Sequence, residues 1–491
     1  MSVQFLRAWG GYEQHQVVHT LPANEEARLV GLGLCRTYFG GIDTDAPFNN
    51  AAAGKVAAGM PLGAWSDGAL SSPGNDSAGM SVAVDASMPF NGQPSLKITQ
   101  GGAGTVIARW TPSAPFSLGQ LKSLQIPVRV SRNANDSGSL AVFGGANSLY
   151  VWLVFTDGKR AVYQIDMTGF RAGQWHVLSL PPGSTAQGWT FAGGPTDTSY
   201  MDTEGLQIAH IQFLAVATAG QTGEVAWVGP IRRGTRSKGC SVVTMDGAYA
   251  SQHNYMLPML EDQGLKATLF VQVDQIGQAG RMTWAQVDRA YAAGHQVACW
   301  GYAGNKNGYA STVDFPDGYT DVRADIAQAI ATLEARGYAD VRYACHNGSA
   351  GPWWAAAQGK TRQDKVARAL VDAGIKAARY GSIAGGAYDR LQPLSMLASV
   401  DPLTLQGVIQ VTNTTTAAIM QAQLVDWPRD RGELAIGTFH RSVVGTPTAA
   451  VALEILNSDF ATFAAYLGQE VRRGVVDNMT FAAVCKANGI A

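Results

Sequence analysis

The pattern of apolar and polar positions divides the chain into segments with different periods. Between residues 79 and 236, short runs of alternating apolar and polar residues are separated by clusters of Gly, Asn, Asp and Ser. Alternation with a period of two is typical of strands that bury one face. The runs are SLKITQ, TVIARW, LQIPVRV, LYVWLVF, AVYQIDM, WHVLSL, IAHIQFLAV and EVAWVGPIR. The segment 79–236 is therefore predicted to be a jelly-roll-like β-sandwich.

From residue 237 to residue 491 the period changes. Short apolar runs such as CSVVTMD, KATLFVQ, HQVACW and LAIGTFH now alternate with segments of helical period. This alternation favours parallel strands with helices packed outside them, as an open sheet or an incomplete barrel. The predicted helices are 251–263, 283–293, 321–336, 361–373 and 457–473.

The first 78 residues differ from both of these segments. Residues 1–48 contain a strand-like run, VQFLRAW, and a predicted short helix, LPANEEARLVGLGLC, with Pro22 near its start. Residues 49–78 are rich in Gly, Ala and Ser, which is the composition of a linker or of an extended docked segment. Residues 1–48 resemble the N-terminal module of tailed-phage and prophage structural proteins. This resemblance implies an attachment module in a virion tail.

Composition limits the classes of partner. The chain of 491 residues has 15% charged residues and a formal net charge of −1, which excludes a broad electrostatic attraction to nucleic acid or anionic membranes. We find no apolar run long enough to insert into a membrane and no signal-peptide pattern at the N-terminus. The five scattered cysteines contain no CxxC pair, so buried thiols are expected rather than a disulfide framework or zinc knuckle.

Four residues with useful chemistry follow successive strand-like runs of the C-terminal segment. They are Asp246, Trp300, His346 and His440. Because the carboxyl ends of parallel strands meet at one face of a sheet, we expect these residues to share one site. A cysteine nucleophile is not expected, since Cys345 and His346 are adjacent on a strand and point to opposite faces.

The motifs around these residues resemble the polysaccharide deacetylase family, whose domain is a distorted (β/α) barrel. The family's usual TFDDGY appears here as TMDGAY, Thr244–Tyr249, followed by LPMLEDQGLKATLFV. Its usual GHEIGSHTYTH appears as GHQVACWGYAG, residues 294–304. The third motif is altered to YACHNGS, and the last motif is supplied by LAIGTFH, which ends at His440. The resemblance covers residues 237–491 and implies this fold for them.

The resemblance also implies a chemistry that this sequence changes. In the family, one Asp and two His bind a divalent metal, usually zinc, that polarises the acetamide carbonyl and activates water. The corresponding positions here are Gly247, Trp300 and Gly304, so we expect no zinc and no other cofactor. The position of the family's general base is kept as Asp246 and that of its general acid as His440.

Other polar and aromatic residues complete the expected site. His346 and Asn347 are new polar groups in the third motif, and His346 is a further catalytic candidate. The expected substrate-binding residues are Tyr249, Trp300, Tyr302, Asn347, Asp314 and Asp317. The candidate second carboxylates for glycosidic cleavage are Asp314, Asp317 and Asp389, of which the first two are favoured. The run STVDFPDGYTD that holds these two acids is also typical of a solvated loop.

The β-sandwich resembles carbohydrate-binding modules, most clearly in GQWHVLSLP and AWVGPIRRG. Its tryptophans are candidates for stacking on sugars, although strand positions favour burial in the core. They are Trp110, Trp152, Trp175, Trp189 and Trp227, of which Trp189 is expected in a loop and exposed.

These observations favour a phage or prophage tail protein that recognises host surface polysaccharide and either degrades or deacetylates it without a metal. A non-catalytic glycan-binding or structural virion protein with the same fold is the alternative. The expected partners are host cell-surface polysaccharide, other tail proteins and further copies of this chain in a homo-oligomer, with a trimer as one form. The expected place of action is the virion tail at the outer cell surface.

Overall fold

The fold is taken from a computed structural model of the 491-residue chain. The structure describes residues 2–5, 17–18, 35–38, 68–71, 81–99, 104–112, 114–117, 123–131, 149–165, 173–180, 189–192, 207–217, 225–234, 238–303, 308–309, 311–345, 359–380, 391, 394–445 and 453–490. No helix within these ranges has the length and apolar character needed to span a bilayer.

The N-terminal region contains a small antiparallel sheet. Its strands are β1 Ser2–Phe5, β2 Val17–Val18 and β3 Cys35–Tyr38, in the order β2-β1-β3. The strand at the start of VQFLRAW is thus confirmed over its first residues. The predicted helix LPANEEARLVGLGLC lies outside the described residues except for Cys35.

Two antiparallel sheets follow. One has the order β13-β11-β10-β14-β7-β4, with β8 paired to β14, and the other has the order β12-β9-β15-β6-β5, with β16 paired to β9. The strands are β4 Gly68–Ser71, β5 Ser81–Phe90, β6 Gln93–Thr99, β7 Gly104–Pro112, β8 Phe116–Ser117, β9 Ser123–Val130, β10 Leu149–Phe155, β11 Arg160–Ile165, β12 Trp175–Leu180, β13 Trp189–Ala192, β14 Gln207–Ala217, β15 Val225–Val228 and β16 Arg232–Gly234.

The two sheets share one apolar core, which confirms the predicted sandwich. Strand β10 shows why the alternation was informative: Leu149, Val151 and Leu153 are fully buried, whereas Tyr150 and Trp152 between them are only half-buried. Within residues 49–78, Gly68–Ser71 pairs with β7 as an edge strand of the sandwich, which fits the extended docked segment that was one of the two interpretations. The boundaries of the predicted domains otherwise stay predictions.

The sandwich tryptophans have different surroundings. Trp110 is buried in the core, while Trp152, Trp175 and Trp227 are half-buried. Trp189 was expected in a loop, but it begins β13, which pairs with β11. The prediction of a loop at Trp189 is therefore wrong, because the short run WTFA extends the sheet by one edge strand; its side chain lies outside the described residues.

Parallel strands begin at residue 239. The longer sheet has the order β19-β18-β17-β24-β23, with β27 beside the start of β17, and a second sheet has the order β20-β21-β22; β25 pairs with β26. The strands are β17 Gly239–Asp246, β18 Ala267–Val271, β19 Gln296–Cys299, β20 Tyr343–Cys345, β21 Ala377–Tyr380, β22 Leu405–Gln406, β23 Ile409–Gln410, β24 Leu434–Phe439, β25 Arg441–Val443, β26 Glu454–Leu456 and β27 Val476–Asn478.

Helices connect these strands, and apolar residues of both pack into one large core. They are α1 Leu257–Glu261, α2 Trp284–Ala292, α3 Thr320–Ala335, α4 Gly359–Asp372, α5 Ala417–Gln421, α6 Trp427–Arg431, α7 Asn457–Arg472 and α8 Phe481–Ala487. A π-helical turn, Gln252–Met256, precedes α1, another, Ala422–Asp426, joins α5 to α6, and short 3-10 turns lie at Val273–Gln275, Leu394–Ser399 and Pro402–Thr404. Closure of the strands into a barrel stays a prediction.

The sandwich packs directly against the parallel-sheet region. Phe90 and Val177 of the sandwich belong to the same buried cluster as Val242 of β17. Next to this cluster, the side chains of Ser179 and Gln125 both donate hydrogen bonds to the buried carboxylate of Glu433. The apolar cluster and the buried polar contacts hold the two regions together on the side of the sheet where β24 begins.

Candidate functional site

The centre of the site is a buried ion pair between two strand ends. Asp246 is the last residue of β17 and is 5% exposed, and Arg379 of β21 is 1% exposed. Arg379 Nη2 donates to both carboxylate oxygens of Asp246, at 2.5 and 2.6 Å. Arg379 Nη1 donates to Thr438 Oγ1 at 2.7 Å. Two buried charges are stable here because each faces the other and the guanidinium is also hydrogen-bonded to β24.

His440 follows β24 and lies beside this ion pair. Its Nε2 is 3.9 Å from Asp246 Oδ2, which is too long for a hydrogen bond but close enough for electrostatic interaction. The side chain is 7% exposed, and its Nδ1 has no hydrogen-bond partner among the described residues. Burial lowers the pKa of His440 below its ordinary value, and the nearby Asp246 carboxylate only partly opposes this effect. His440 is therefore uncharged at neutral pH.

Gln252 fixes the two strand ends relative to each other. This fully buried side chain donates from Nε2 to the carbonyl oxygen of Asp246 at 3.0 Å and to that of His440 at 2.6 Å. Its Oε1 accepts a hydrogen bond from the backbone N–H of Tyr249 at 3.0 Å. One amide thus satisfies three backbone groups and sets the separation of β17 and β24 at the site.

The turn after Asp246 is crowded at the position of the family's metal-binding Asp. Gly247 has φ +90° and Ala248 has φ +48°, a conformation that favours glycine at the first position. A Cβ atom on Gly247 would lie 2.5 Å from Arg281 Nη1, 2.9 Å from Tyr249 Cε2 and 3.1 Å from Trp300 Cζ3. Arg281 Nη1 also donates to the carbonyl oxygen of Gly247 at 2.5 Å.

The residues at this position do not fit a divalent cation. A guanidinium and an indole lie where the resemblance implies a carboxylate and an imidazole, and like charge repels a cation. Gly304, the third position, lies outside the described residues. Within the described ranges, no three His, Cys, Asp or Glu side chains are grouped closely enough to hold a metal.

Two further arginines pack against the ring of Tyr249. The guanidinium carbon of Arg281 lies 3.9 Å from the ring centroid of Tyr249, and that of Arg441 lies 4.6 Å from the same centroid. Burial lowers the pKa of Arg281, and the nearby positive charge of Arg441 acts in the same direction. Arg281 stays protonated because an arginine pKa begins far above neutrality. The site therefore has more positive than negative groups.

The aromatic residues predicted to bind substrate are less exposed to solvent than expected. Trp300 is 9% exposed and lies edge-on to His440, with 6.4 Å between the ring centroids. Tyr302 is half-buried against the core, and its backbone N–H donates to Asp325. Tyr249 is half-buried beneath its two arginines. Trp300 lies beside His440, but most of its surface contacts protein atoms.

Two of the three candidate second carboxylates have local partners, and Asp389 lies outside the described residues. Asp314 accepts a hydrogen bond from Ser311 Oγ at 2.9 Å. Asp317 is exposed, pairs with Lys365 at 2.8 Å and accepts from the backbone N–H of Thr320 at the start of α3. The hydrogen bond from Lys365 and those from Thr320 hold the pKa of Asp317 well below its usual range. These contacts support the solvated-loop interpretation of STVDFPDGYTD, whereas His346 and Asn347 lie outside the described residues.

The cysteines near the site are inert in this arrangement. Cys345 and Cys299 are buried free thiols. Burial raises the pKa of Cys299 to about 12 and that of Cys345 well above its ordinary value. Because the thiolate is the nucleophile, neither is suited to attack a carbonyl. Cys240 and Cys485 are also buried, and neither forms a disulfide within the described part of the chain.

A comparison with known families decides the class of this domain. Residues 233–378 match the family model described as polysaccharide deacetylase. The chain carries a polysaccharide deacetylase domain. The match includes Asp246, Gly247 and Trp300 and ends before Arg379 and His440. Arg379 and His440, which complete the buried cluster, therefore lie beyond the matched residues.

Solved structures with similarity to the chain include carbohydrate esterases and carbohydrate-binding modules. A family 4 carbohydrate esterase from Streptomyces lividans, in complex with acetate, is 14% identical, with 49% of this chain and 91% of that chain covered and a TM-score of 0.29. A family 4 acetyl xylan esterase from Clostridium thermocellum is 13% identical, with 51% and 92% covered and a TM-score of 0.31. Structural similarities with TM-scores this low support no conclusion about this chain.

A third similar structure is a carbohydrate-binding module. The family 11 carbohydrate-binding module of Clostridium thermocellum Lic26A-Cel5E is 11% identical, with 34% of this chain and 86% of that chain covered and a TM-score of 0.23. This TM-score is also too low to carry an argument. No curated protein matches the sequence.

Three residues of the cluster were not found from the sequence. Arg379 lies in a short strand, within KAARY, and is 133 positions from its partner Asp246. Gln252 is a polar residue within a helical segment, and Arg281 lies in a loop before α2. The one usable signal was a charged residue, Arg379, within a strand whose neighbours are apolar.

Proposed function

We propose that the chain binds a polysaccharide through its deacetylase domain and does not hydrolyse it by the family's metal-dependent route. The observation that carries this proposal is the bidentate contact of Arg379 with Asp246. Both carboxylate oxygens accept from one buried guanidinium nitrogen, so Asp246 is held in a buried ion pair. The pair joins strands β17 and β21, which gives Asp246 a structural role at this site.

The proposal includes independence from a metal cofactor. It is supported by the side chains around Gly247, where Arg281 and Trp300 occupy the space that a metal-binding side chain would need. Without a cation, neither polarisation of an acetyl carbonyl nor activation of water is provided in the family's way. Aromatic and amide groups in such a cleft can still hold a glycan.

A metal-independent hydrolase, either esterase or glycosidase, is the second candidate. It is supported by the 3.9 Å separation of Asp246 and His440, which brings two groups capable of proton transfer together. In this mechanism the uncharged His440 would accept a proton from water, and Asp246 would stabilise the imidazolium that forms. A glycosidase would also need a second free carboxylate, whereas Asp314 and Asp317 have local partners.

We propose that the β-sandwich supplies a second contact to the glycan. Support comes from Trp152 on the outer face of β10, with the Arg160 guanidinium 4.8 Å from its ring centroid. His210 and Gln212 lie on the paired strand β14, and Gln212 is directly opposite Trp152. A half-buried tryptophan beside polar side chains is suited to sugar stacking through its exposed part.

The biological setting remains the proposal made from the sequence. The resemblance of residues 1–48 to phage and prophage modules supports a virion tail protein that meets host cell-surface polysaccharide. In that setting the chain would assemble with other tail proteins and with further copies of itself, a trimer being one form.

The test uses the full chain and a panel of purified bacterial surface polysaccharides. Retention on a polysaccharide, released acetate and the length of the glycan are measured with and without a metal chelator, and the metal content is determined by mass spectrometry. We expect retention without acetate release or shortening, and no effect of the chelator. Product that disappears with the chelator would overturn the proposal; product that persists with the chelator but disappears in Asp246→Asn would favour the metal-independent hydrolase.

A further inference from the structure

We propose that the cleft beside Asp246 binds an anionic group of its glycan, a carboxylate or a phosphate, through Arg281 and Arg441. This inference rests on the proposed polysaccharide binding and adds the chemical class of the ligand. It reverses the charge of the ligand expected at this place in a deacetylase domain, where a cation would be bound. The site would then select acidic polysaccharides over neutral ones.

The balance of charge in the cluster supports an anion. Arg379 is neutralised by its bidentate contact with Asp246. Arg281 and Arg441 form no ion pair within 4.0 Å of a carboxylate among the described residues. Asp274 is the acid that acts on Arg281 from a longer distance. Two guanidinium groups beside a buried, neutralised pair therefore leave net positive charge at the cleft.

Two positive groups share one aromatic ring. Both lie within 5 Å of the ring centroid of Tyr249, at 3.9 Å for Arg281 and 4.6 Å for Arg441. The two positive charges repel each other, which opposes this arrangement. Because Arg281 is half-buried, water screens this repulsion less than it would at the surface. A bound anion would remove the repulsion and accept the planar, paired hydrogen bonds that guanidinium groups favour.

Arg281 is also held in a fixed orientation. Its Nη1 donates to the carbonyl oxygen of Gly247, and its face contacts the ring of Tyr249. Arg441, in contrast, is exposed at the start of β25. A fixed arginine beside an exposed one suits a ligand that enters from solvent and is then orientated.

The first measurement compares acidic glycans with their neutralised forms. The full chain is tested for retention on polyuronate and phosphorylated polysaccharides and on the same polymers after carboxyl reduction or dephosphorylation. We expect retention of the acidic form to be about tenfold stronger, as the loss of charged hydrogen bonds predicts. Equal retention of both forms would overturn the inference while leaving polysaccharide binding intact; the two acidic classes distinguish a carboxylate from a phosphate.

The second measurement uses variants and small anions. Arg441→Gln removes an exposed charge without disturbing the core, and Arg281→Gln removes the fixed one. Each is expected to weaken retention of the acidic form by about tenfold. The matched control is Arg336→Gln, which removes another arginine stacked on an aromatic ring, Trp284, at 4.2 Å. Unchanged retention in both Arg281→Gln and Arg441→Gln would overturn the inference.

Glucuronate and inorganic phosphate separate this inference from the proposed function. Each is titrated to about 50 mM, where a millimolar site is saturated, and followed by tryptophan fluorescence and thermal shift. If no polysaccharide is retained but one anion binds and Arg441→Gln abolishes its binding, the anion site stands and the proposed function fails. If neither anion binds to the wild-type chain, the inference fails.

Discussion

The guanidinium of Arg379 faces the carboxylate of Asp246 with one nitrogen 2.5 and 2.6 Å from the two oxygens, and both side chains are almost completely buried. The two residues come from different sheets, since β17 belongs to the longer parallel sheet and β21 to the shorter one. The ion pair therefore joins the two sheets at the carboxyl ends of their strands. Its removal should affect folding as well as binding.

Replacement of Arg379 alone should be costly. Arg379→Met leaves the Asp246 charge buried without a partner, and we expect the free energy of unfolding to fall by about 3–5 kcal/mol. The double variant Asp246→Leu/Arg379→Met should recover most of that loss, because two apolar side chains leave no buried charge without a partner. Urea unfolding measures both. The control Lys365→Met removes an exposed ion pair with Asp317 and should change the free energy of unfolding far less than Arg379→Met. A double variant no more stable than Arg379→Met would contradict this account.

His440 should make the fold sensitive to acid. Burial lowers its pKa in the folded chain below the ordinary 6.5, and Arg379, Arg281 and Arg441 also disfavour its protonation, while Asp246 favours it. As the pH falls through 6.5, the unfolded chain takes up a proton that the folded chain does not, so stability decreases until the folded pKa is reached. Above 6.5 this contribution is constant.

The measurement is the melting temperature at about pH 7.5 and about pH 5.5 for the wild-type chain and for His440→Gln. We expect a smaller acid-induced decrease in His440→Gln. His295 and His210, whose pKa values burial also lowers, stay in both proteins and cancel in the difference. An equal decrease in both proteins would show that His440 is already protonated in the fold or solvated.

The sequence was sufficient for the parts of the site that depend on strand order. Asp246 and His440 were predicted to meet because each ends a run of buried residues in a pattern of parallel strands, and β17 and β24 are neighbours in the sheet. The antiparallel sandwich was predicted for the same reason, from apolar residues with a period of two. These features follow from local patterns and from one rule of topology.

The remaining parts depend on contacts between residues that are distant along the chain. No spacing rule indicates that Arg379 pairs with Asp246, or that Gln252 bonds the carbonyl oxygens of both Asp246 and His440. The burial of Trp300 was not predicted, because a tryptophan that follows a strand can be either buried in the protein or exposed at the site. Helix α5 was missed, although Thr416 caps it through a side-chain contact to Ile419 N–H.

Gln252 should be essential for the separation of the two strand ends. Gln252→Leu keeps the volume but removes the hydrogen bonds to Asp246 O, His440 O and Tyr249 N. Because these buried backbone groups would be left unsatisfied, we expect a loss of about 2–4 kcal/mol in the free energy of unfolding. Urea unfolding compares it with Gln328→Leu, an exposed position on α3. Similar midpoints for the two variants would show that water replaces the lost partners.

Gly247 provides a test of the crowded turn that separates backbone strain from packing. Gly247 and Gly277 both have positive φ, +90° and +83°, but a Cβ on Gly277 meets nothing within 4 Å, whereas one on Gly247 meets Arg281, Tyr249 and Trp300. Gly277→Ala should cost about 1 kcal/mol or slightly more from the backbone alone. Gly247→Ala should cost about 1–3 kcal/mol beyond that, because Arg281 and Trp300 must move. Urea unfolding of both variants gives the difference. If the two losses were equal, Arg281 and Trp300 would not be fixed against Gly247, and the space beside Asp246 would be open to another side chain or ligand.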